Sequence, residues 1–382
     1  MKKESLIMFL SAALLGGCAT VGPDYNGPPA TPAIDAGLPS ANGSDVLTQS
    51  TPPEAWWKLF ADPVLEDLID QALQANTDLR IASANLQSLR ALLIETETGL
   101  QPQVDLDASV ERSRDSTEIQ RFGNTQQDTY TASTAALGLN WELDLFGRIR
   151  RAIEATEADV GEVAALRDDV MRVVIADLVN AYIDLRGAQQ RERVIVANIN
   201  NQQKTLELTR TLASEGAATE LDVARARAQL HATEARLPNI KAEQTDAVNR
   251  IALLTGRGPG ELSSVVYAPS AMPLLPAFVP IGDAASLIRQ RPDIRAAERA
   301  LASATAQIGV STADLFPTVS FNAALGVQAS SIGALDAAGA DFFSFGPALR
   351  WNLFNREAIH ARIKQAEANT EAKLAGYEGV VL

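Results

Sequence analysis

Few residues in this chain could do chemistry, and their spacing limits what that chemistry is. The single thiol, Cys18, follows Leu15-Gly16-Gly17 at the end of an apolar stretch from Ser5 to Leu15. The two imidazoles, His231 and His360, lie far apart. One Cys and two His do not make a Cys/His zinc site, and one Cys closes no intrachain disulfide. There is no HExxH, no GxSxG and no P-loop. Gly256-Arg257-Gly258-Pro259-Gly260 is glycine-rich. It follows a helical pattern and enters a proline-rich stretch, whereas a phosphate cradle needs a strand before it and a helix after it. What remains is two pairs of carboxylates, Asp105 with Asp107 and Glu142 with Asp144, each two apart within an alternating run. That spacing places each pair on one face of a strand. Lining a pore, such a face would favour cations; the plainer alternative is a solvated charged face without selectivity. No catalytic residue, metal-ligand set or cofactor site emerges.

The N-terminus gives Cys18 a role. Lys2 and Lys3 precede an apolar run of 11 residues, too short to span a bilayer, so residues 1–17 read as an export signal. The Leu-Gly-Gly-Cys ending resembles a bacterial lipobox. The resemblance implies cleavage before Cys18 and a covalent lipid on it, and Ala19 in place of Asp implies the outer membrane of a Gram-negative bacterium. The chain has 33 Lys+Arg against 47 Asp+Glu, a net charge of −14 over 382 residues. That excludes a general nucleic-acid binder, which needs surplus cations to neutralise phosphate. No later stretch approaches 18 consecutive apolar residues, so any membrane crossing has to use β-strands.

The elements that must position these residues can be read from hydrophobic period. Residues 18–54, with seven prolines between 22 and 53, read as an extended tether. Order is expected from Ala55, with Asp62-Pro63 opening a helix to about 75 and Asn76-Thr77 capping another to about 99. Strict alternation predicts strands at about 103–112 and 129–145. In the first, Val104, Leu106, Ala108 and Val110 oppose Asp105 and Asp107. In the second, Leu137, Leu139, Trp141, Leu143 and Leu145 oppose Glu142 and Asp144. The polar segment between them would be an outward loop. From Gly147 the helical period returns with no proline before Ser214. This predicts a coiled-coil-like helix about 100 Å long at ~1.5 Å per residue, a turn at Ser214-Glu215-Gly216, and a returning helix over about 221–254. Residues 257–282 hold five prolines and read as a linker.

Then the pattern repeats. Thr77-Asp78-Leu79-Arg80 resembles Pro292-Asp293-Ile294-Arg295 and Pro102 matches Pro317, both 215 positions on. Alternating runs at about 318–328 and 342–354 follow, and Trp141…Leu145-Phe146-Gly147 recurs as Trp351…Leu353-Phe354-Asn355. The chain is therefore expected to be a tandem duplication, with a first repeat at 55–256 and a second at 283–382. Four strands of some ten residues can cross a bilayer but cannot close a barrel, the smallest of which has eight strands. Open edges in lipid leave unpaired backbone groups, so strands from several chains would have to combine. Aromatics near strand ends (Tyr130, Trp141, Phe146, Phe342, Phe343, Trp351, Phe354) suit interfacial girdles. Alternation alone also permits two hairpins packed on helices in a soluble protein.

Four motifs, in order along the chain, carry a family resemblance: Cys18-Ala19-Thr20-Val21-Gly22-Pro23-Asp24-Tyr25, Trp56-Trp57-Lys58-Leu59-Phe60-Ala61-Asp62-Pro63, Trp141-Glu142-Leu143-Asp144-Leu145-Phe146-Gly147-Arg148 and Arg291-Pro292-Asp293-Ile294-Arg295. With them the chain resembles the TolC-like outer membrane factors, the lipoprotein outer-membrane components of tripartite efflux pumps. The resemblance implies a mainly α protein with four transmembrane β-strands and long periplasmic coiled-coil helices per protomer. It implies a homotrimer with a twelve-stranded barrel, acting as a passive exit duct for drugs or other small molecules. Its partners would be a periplasmic adaptor and an inner-membrane RND-type transporter. Cys18 would carry the lipid, with no other cofactor. Arg210, Leu212, Glu215, Gly216, Ala217, Thr219 and Leu221 would form the periplasmic tip that meets the adaptor, and Asp105, Asp107, Glu142 and Asp144 would face the lumen. Family members continue past the point matching Leu382; the counterpart of the first returning helix would fall near 430–465, and the family's gate uses residues on that second helical hairpin. A truncated chain or a fragment is therefore expected. A lipid-anchored periplasmic coiled-coil scaffold without a pore is the alternative from another class.

Overall fold

The computed structural model describes residues 20–28, 47–48, 50–114, 129–262, 264–274, 276–280, 282 and 290–382. Cys18 and the segment 115–128 lie outside them. The elements are β1 (Leu47–Thr48), a 3₁₀ turn (Trp56–Phe60), α1 (Pro63–Ala75), α2 (Thr77–Thr98), β2 (Gln103–Arg114), β3 (Thr129–Leu143) and α3 (Arg148–Ser214). Then come α4 (Glu220–Glu234), α5 (Leu237–Leu254), α6 (Ser264–Tyr267), β4 (Val279–Pro280), α7 (Pro292–Ala313), β5 (Thr318–Ala329), β6 (Asp341–Arg350) and α8 (Arg356–Val381). Among the described residues no helix is long and apolar enough to cross a membrane. Two compact units, 1–31/87–162/296–382 and 32–86/163–295, cut across the sequence repeats.

The first unit holds an antiparallel sheet of order β2-β3-β5-β6. Its helices pack through small residues: Ala296, Ala300, Ala302, Ala304, Ala306 and Ala313 of α7 are buried. Thr370 of α8 donates to the Ala304 carbonyl at 3.0 Å, tying two backbones that alanine lets approach. The second unit has an apolar core of Leu65, Leu68 and Ile69 on α1, Val174, Leu178, Tyr182 and Leu185 on α3, and Val248 and Ile251 on α5. Asp62 organises it. Its carboxylate caps α1 by accepting from Val64 N and Leu65 N at 2.9 and 3.1 Å. It also accepts the Tyr182 hydroxyl at 2.7 Å. The Arg186 guanidinium lies over the Tyr182 ring and donates to Gln189 and to the Ala268 carbonyl. Asn76 caps α2 through Leu79 N and donates to the Leu254 carbonyl at 3.0 Å, closing the end of α5.

Several sequence expectations are corrected. The returning helix is two helices, because Pro238 near the start of α5 cannot donate to the preceding turn and the path breaks at Ala235-Arg236. The fourth alternating run leaves the sheet at Arg350 rather than 354, and the second at Leu143 rather than 145. Neither tether nor linker is wholly irregular. Leu47 pairs with Val279 in a short parallel bridge, and α6 lies inside the linker.

Burial, together with the Asp62 carboxylate, pushes the Tyr182 phenol up from 10.0 to about 12. The raised value means that stability conferred by the neutral phenol is present below pH 10 and falls as pH rises towards 12. Tyr182→Phe should cost about 1 kcal/mol at neutral pH, for the lost hydrogen bond, and should shrink the alkaline loss between pH 10 and 12. Thermal melts followed by circular dichroism against pH will show both effects.

Candidate functional site

The sheet is chemically two-faced. The pairings place Val104, Leu106, Val110, Leu137, Leu139, Trp141, Val319, Phe321, Leu325, Leu349, Phe345 and Phe343 on one side. Much of that side is open: Leu106 is 73% exposed, Phe343 71% and Leu325 62%. A soluble protein does not leave so large an apolar patch in water. The other side carries Gln103, Asp105, Asp107, Glu142, Asn140, Ser320, Asn322, Ser344 and Arg350, with Tyr130, Phe342 and small residues between them. Among the described residues, edge strands β2 and β6 each keep one side without a partner strand.

Of the four carboxylates, Asp105 and Asp107 lie exposed on the polar face of β2. Glu142 lies on the same face of β3 but is held by Arg148, which bonds both of its oxygens at 2.9 Å. Asp144 is corrected. The strand ends at Leu143, the chain turns with Leu145 N donating to the Leu143 carbonyl, and the Asp144 side chain is only 6% exposed. Its oxygens accept from Ile149 N at 3.1 Å and Arg150 N at 3.0 Å, capping α3 at the positive end of its dipole. It is a structural cap at the strand–helix junction, not a residue of the strand's polar face.

The ends of the strands are pinned by a device that occurs twice. Trp141 donates its indole N–H to the Leu100 carbonyl, and Trp351 donates to the Leu315 carbonyl, both at 3.0 Å. Phe146 stacks on Phe316 at 4.7 Å. The N-terminal segment docks at this junction. Val21 N donates to the Phe146 carbonyl at 3.1 Å. Arg151, its side chain 4% exposed, donates to the Val21 carbonyl at 3.0 Å and to Asp24 at 2.5 Å. Gly22 is needed for the approach: a Cβ there would stand 2.4 Å from the Gly309 Cα. Sequence reasoning missed this clasp, because Arg151 and Val21 are 130 positions apart and no local pattern marks them.

In the second unit, α3 turns into α4 at a tightly specified loop. Gly216 sits at φ +76°, the left-handed conformation that ends helices, with Gly216 N on the Ala213 carbonyl and Ala217 N on the Leu212 carbonyl. Thr219 and Asp222 form a reciprocal capping box that holds the Asp222 carboxyl below its ordinary range. Leu206, Val223 and Leu230 are buried just behind the loop. Arg210, Leu212, Glu215, Gly216, Ala217, Thr219 and Leu221 are all exposed on it, with Leu208, which the sequence did not single out, also open at 61%.

A sheet with a lipid-compatible face, a polar face and open edges, together with a 67-residue helix, defines a membrane-barrel subunit with a coiled-coil extension. The comparisons agree. The outer membrane efflux protein family model matches residues 68–257 and 285–382. Nodulation protein T of Rhizobium leguminosarum bv. trifolii is 31% identical, covering 97% of this chain and 77% of its own. The toluene efflux pump outer membrane protein TtgI of Pseudomonas putida is 33% identical over 99% of this chain and 80% of its own. Among solved structures, the outer-membrane channel OprN is 40% identical with a TM-score of 0.87, covering 95% of this chain and 80% of that one. The chain belongs to the outer membrane efflux protein family and has its TolC-like fold. Its place is the outer membrane, and the family is one of efflux ducts rather than an enzyme class.

Asp144→Ala should remove the α3 cap and cost about 1–2 kcal/mol, lowering the thermal midpoint of the helical signal. Asp144→Asn, which keeps one acceptor oxygen for a single amide and loses the ion pair with Arg150, should recover only part of that loss.

Proposed function

We propose that this chain is the passive exit duct of a tripartite efflux system. Three copies would close a twelve-stranded barrel, and drugs, solvents or other small molecules would pass through it to the exterior. The observation that carries the reading is the sheet, apolar on one face, polar on the other and open at both edges. Such an object is stable in hydrocarbon only when further strands cover its edges and its polar face turns to a water-filled lumen. A periplasmic adaptor would meet Arg210, Leu212, Glu215, Gly216, Ala217, Thr219 and Leu221 at the helical turn. An inner-membrane RND-type transporter would feed the duct and choose the solutes. Work in efflux pumps by family members supports both partners.

The mature chain, extracted in mild detergent, should have the native mass of a trimer and conduct ions in planar bilayers; a monomer without conductance would overturn the reading. Asp105→Asn with Asp107→Asn should lower the cation preference of that conductance, and an unchanged permeability ratio would remove these carboxylates from the selectivity argument. Cys18 would carry the lipid that anchors the chain. Cys18→Ala should lose incorporation of labelled fatty acid, and retained label would exclude this thiol as the acceptor.

A further inference from the structure

Charge is scarce on the apolar face of the sheet, and where it occurs it is grouped. The even-numbered residues of β2 share that face: Val104, Leu106, Ala108 and Val110, then Arg112 and Arg114. Both arginines are exposed. Glu111 and Ser113 face the other way and bond each other at 2.7 Å. The one acid on the apolar face among the described residues, Asp341, closes the end of β6, three strands away in the sheet.

Height along the strands shows where the arginines stand. Arg112 lies opposite Thr131 of β3, and Thr131 is ten residues from Trp141. Trp141 marks the helix end of the apolar face, its indole bonded to the Leu100 carbonyl at 3.0 Å where the chain passes from α2 to β2. Ten residues of antiparallel strand span about 34 Å, and a tilt of about 40° turns that into a rise of about 26 Å. The apolar band of a membrane barrel is about 25 Å tall. Arg112 therefore stands at the far limit of the hydrocarbon, and Arg114 about 5 Å beyond it. The two limits are also marked by different chemistry. Trp141 and Trp351 stand at the helix end. At the far end the β3 partners of the arginines are Thr131 and Thr129, with no aromatic ring beside them on this face among the described residues.

The chain belongs to an outer-membrane family, so the side of the band away from the helices meets the external leaflet, whose lipid is a phosphorylated glycolipid. We propose that Arg112 and Arg114 clamp a phosphate of that glycolipid at the outer rim of β2. The inference rests on the barrel reading above, which turns this face to lipid. Residues two apart on one face of a strand have Cα atoms about 7 Å apart, so two guanidiniums can converge on one phosphate. Each guanidinium presents paired N–H donors that match two phosphate oxygens, and its stem can lie along apolar neighbours such as Val110 while the charge reaches the headgroups. The chain as a whole is acidic, at −14, so anion capture here is a local property of this rim and not a general attraction.

The mature full chain, extracted in mild detergent, is mixed with diphosphoryl lipid A, and bound lipid is counted by native mass spectrometry, which reads the mass of the oligomer in the same spectrum. Arg112→Gln with Arg114→Gln should weaken binding about tenfold or more, with the oligomer mass unchanged. Lysine at both positions should restore part of it. Lipid A stripped of its phosphates should bind the parent chain as weakly as the diphosphoryl form binds the double glutamine variant. Arg225→Gln, at an exposed arginine of the second unit, should leave binding as it is. Equal binding by the parent chain and the double variant, both oligomeric, overturns the site while the channel reading stands; a monomeric mass overturns both. Displacement of the lipid A by an equal concentration of phosphatidylglycerol or of inorganic phosphate overturns the glycolipid as the occupant.

Discussion

Unpaired backbone amides and carbonyls are what hydrocarbon cannot tolerate, and the rest of this protein is arranged around that fact. Each such group left bare in a bilayer costs several kcal/mol. β3 and β5 are paired on both sides, whereas among the described residues β2 and β6 each have one side open. A sheet with an apolar outer face therefore needs further strands along those edges before it is stable in hydrocarbon. The position of charge follows from the same constraint. Asp105, Asp107 and Glu142 lie on the face opposite Leu106, Leu325 and Phe343, the charges that share the apolar face (Arg112, Arg114 and Asp341) sit at strand ends, and Asp144 beyond β3 is used as a helix cap.

The junction between sheet and helix carries the most specific contacts of the first unit. Asp144 starts α3, Arg148 holds Glu142, the two indoles fix strand ends to the carbonyls of Leu100 and Leu315, and Arg151 draws the segment around Val21 and Asp24 against the same helix. The geometry has to change here from period two to period 3.6, and a loose joint would let the strands rotate relative to their helix. In the second unit the corresponding work falls to Asp62, which satisfies two helix amides and a buried phenol with one carboxylate.

Much of this was legible in the sequence because the two periods are unambiguous over long runs. Alternation from Val104 to Val110 identifies both faces of β2, and the absence of proline from 147 to 214 leaves α3 unbroken. The failures have local causes. Asp144 and Leu145 continue the alternation of Leu143 after the backbone has left the ladder, so pattern alone placed Asp144 on a wall it does not join. Pro238 stands among good helix formers, and only the break at Ala235-Arg236 reveals that it starts a new helix rather than lying inside one. The Arg151 clasp and the β1–β4 bridge join residues far apart in sequence, where period has nothing to say. Strand register was equally hidden, since any even slip preserves the hydrophobic pattern.

The spacings that relate the repeats differ: 215 positions before the outward turn, 210 after it at Trp141 and Trp351, and 208 at Phe146 and Phe354. The missing five residues fall between β5 and β6, where a short 3₁₀ turn at Ile332–Ala334 bridges the strands, while 115–128 separate β2 from β3. A closed ring of such chains would have a wall whose quasi-symmetry counts repeats and a rim whose true symmetry counts copies. Long and short crossings would alternate around the mouth. An outside ligand that reads the rim would find one site per chain rather than two, although the wall beneath it looks the same at every second hairpin.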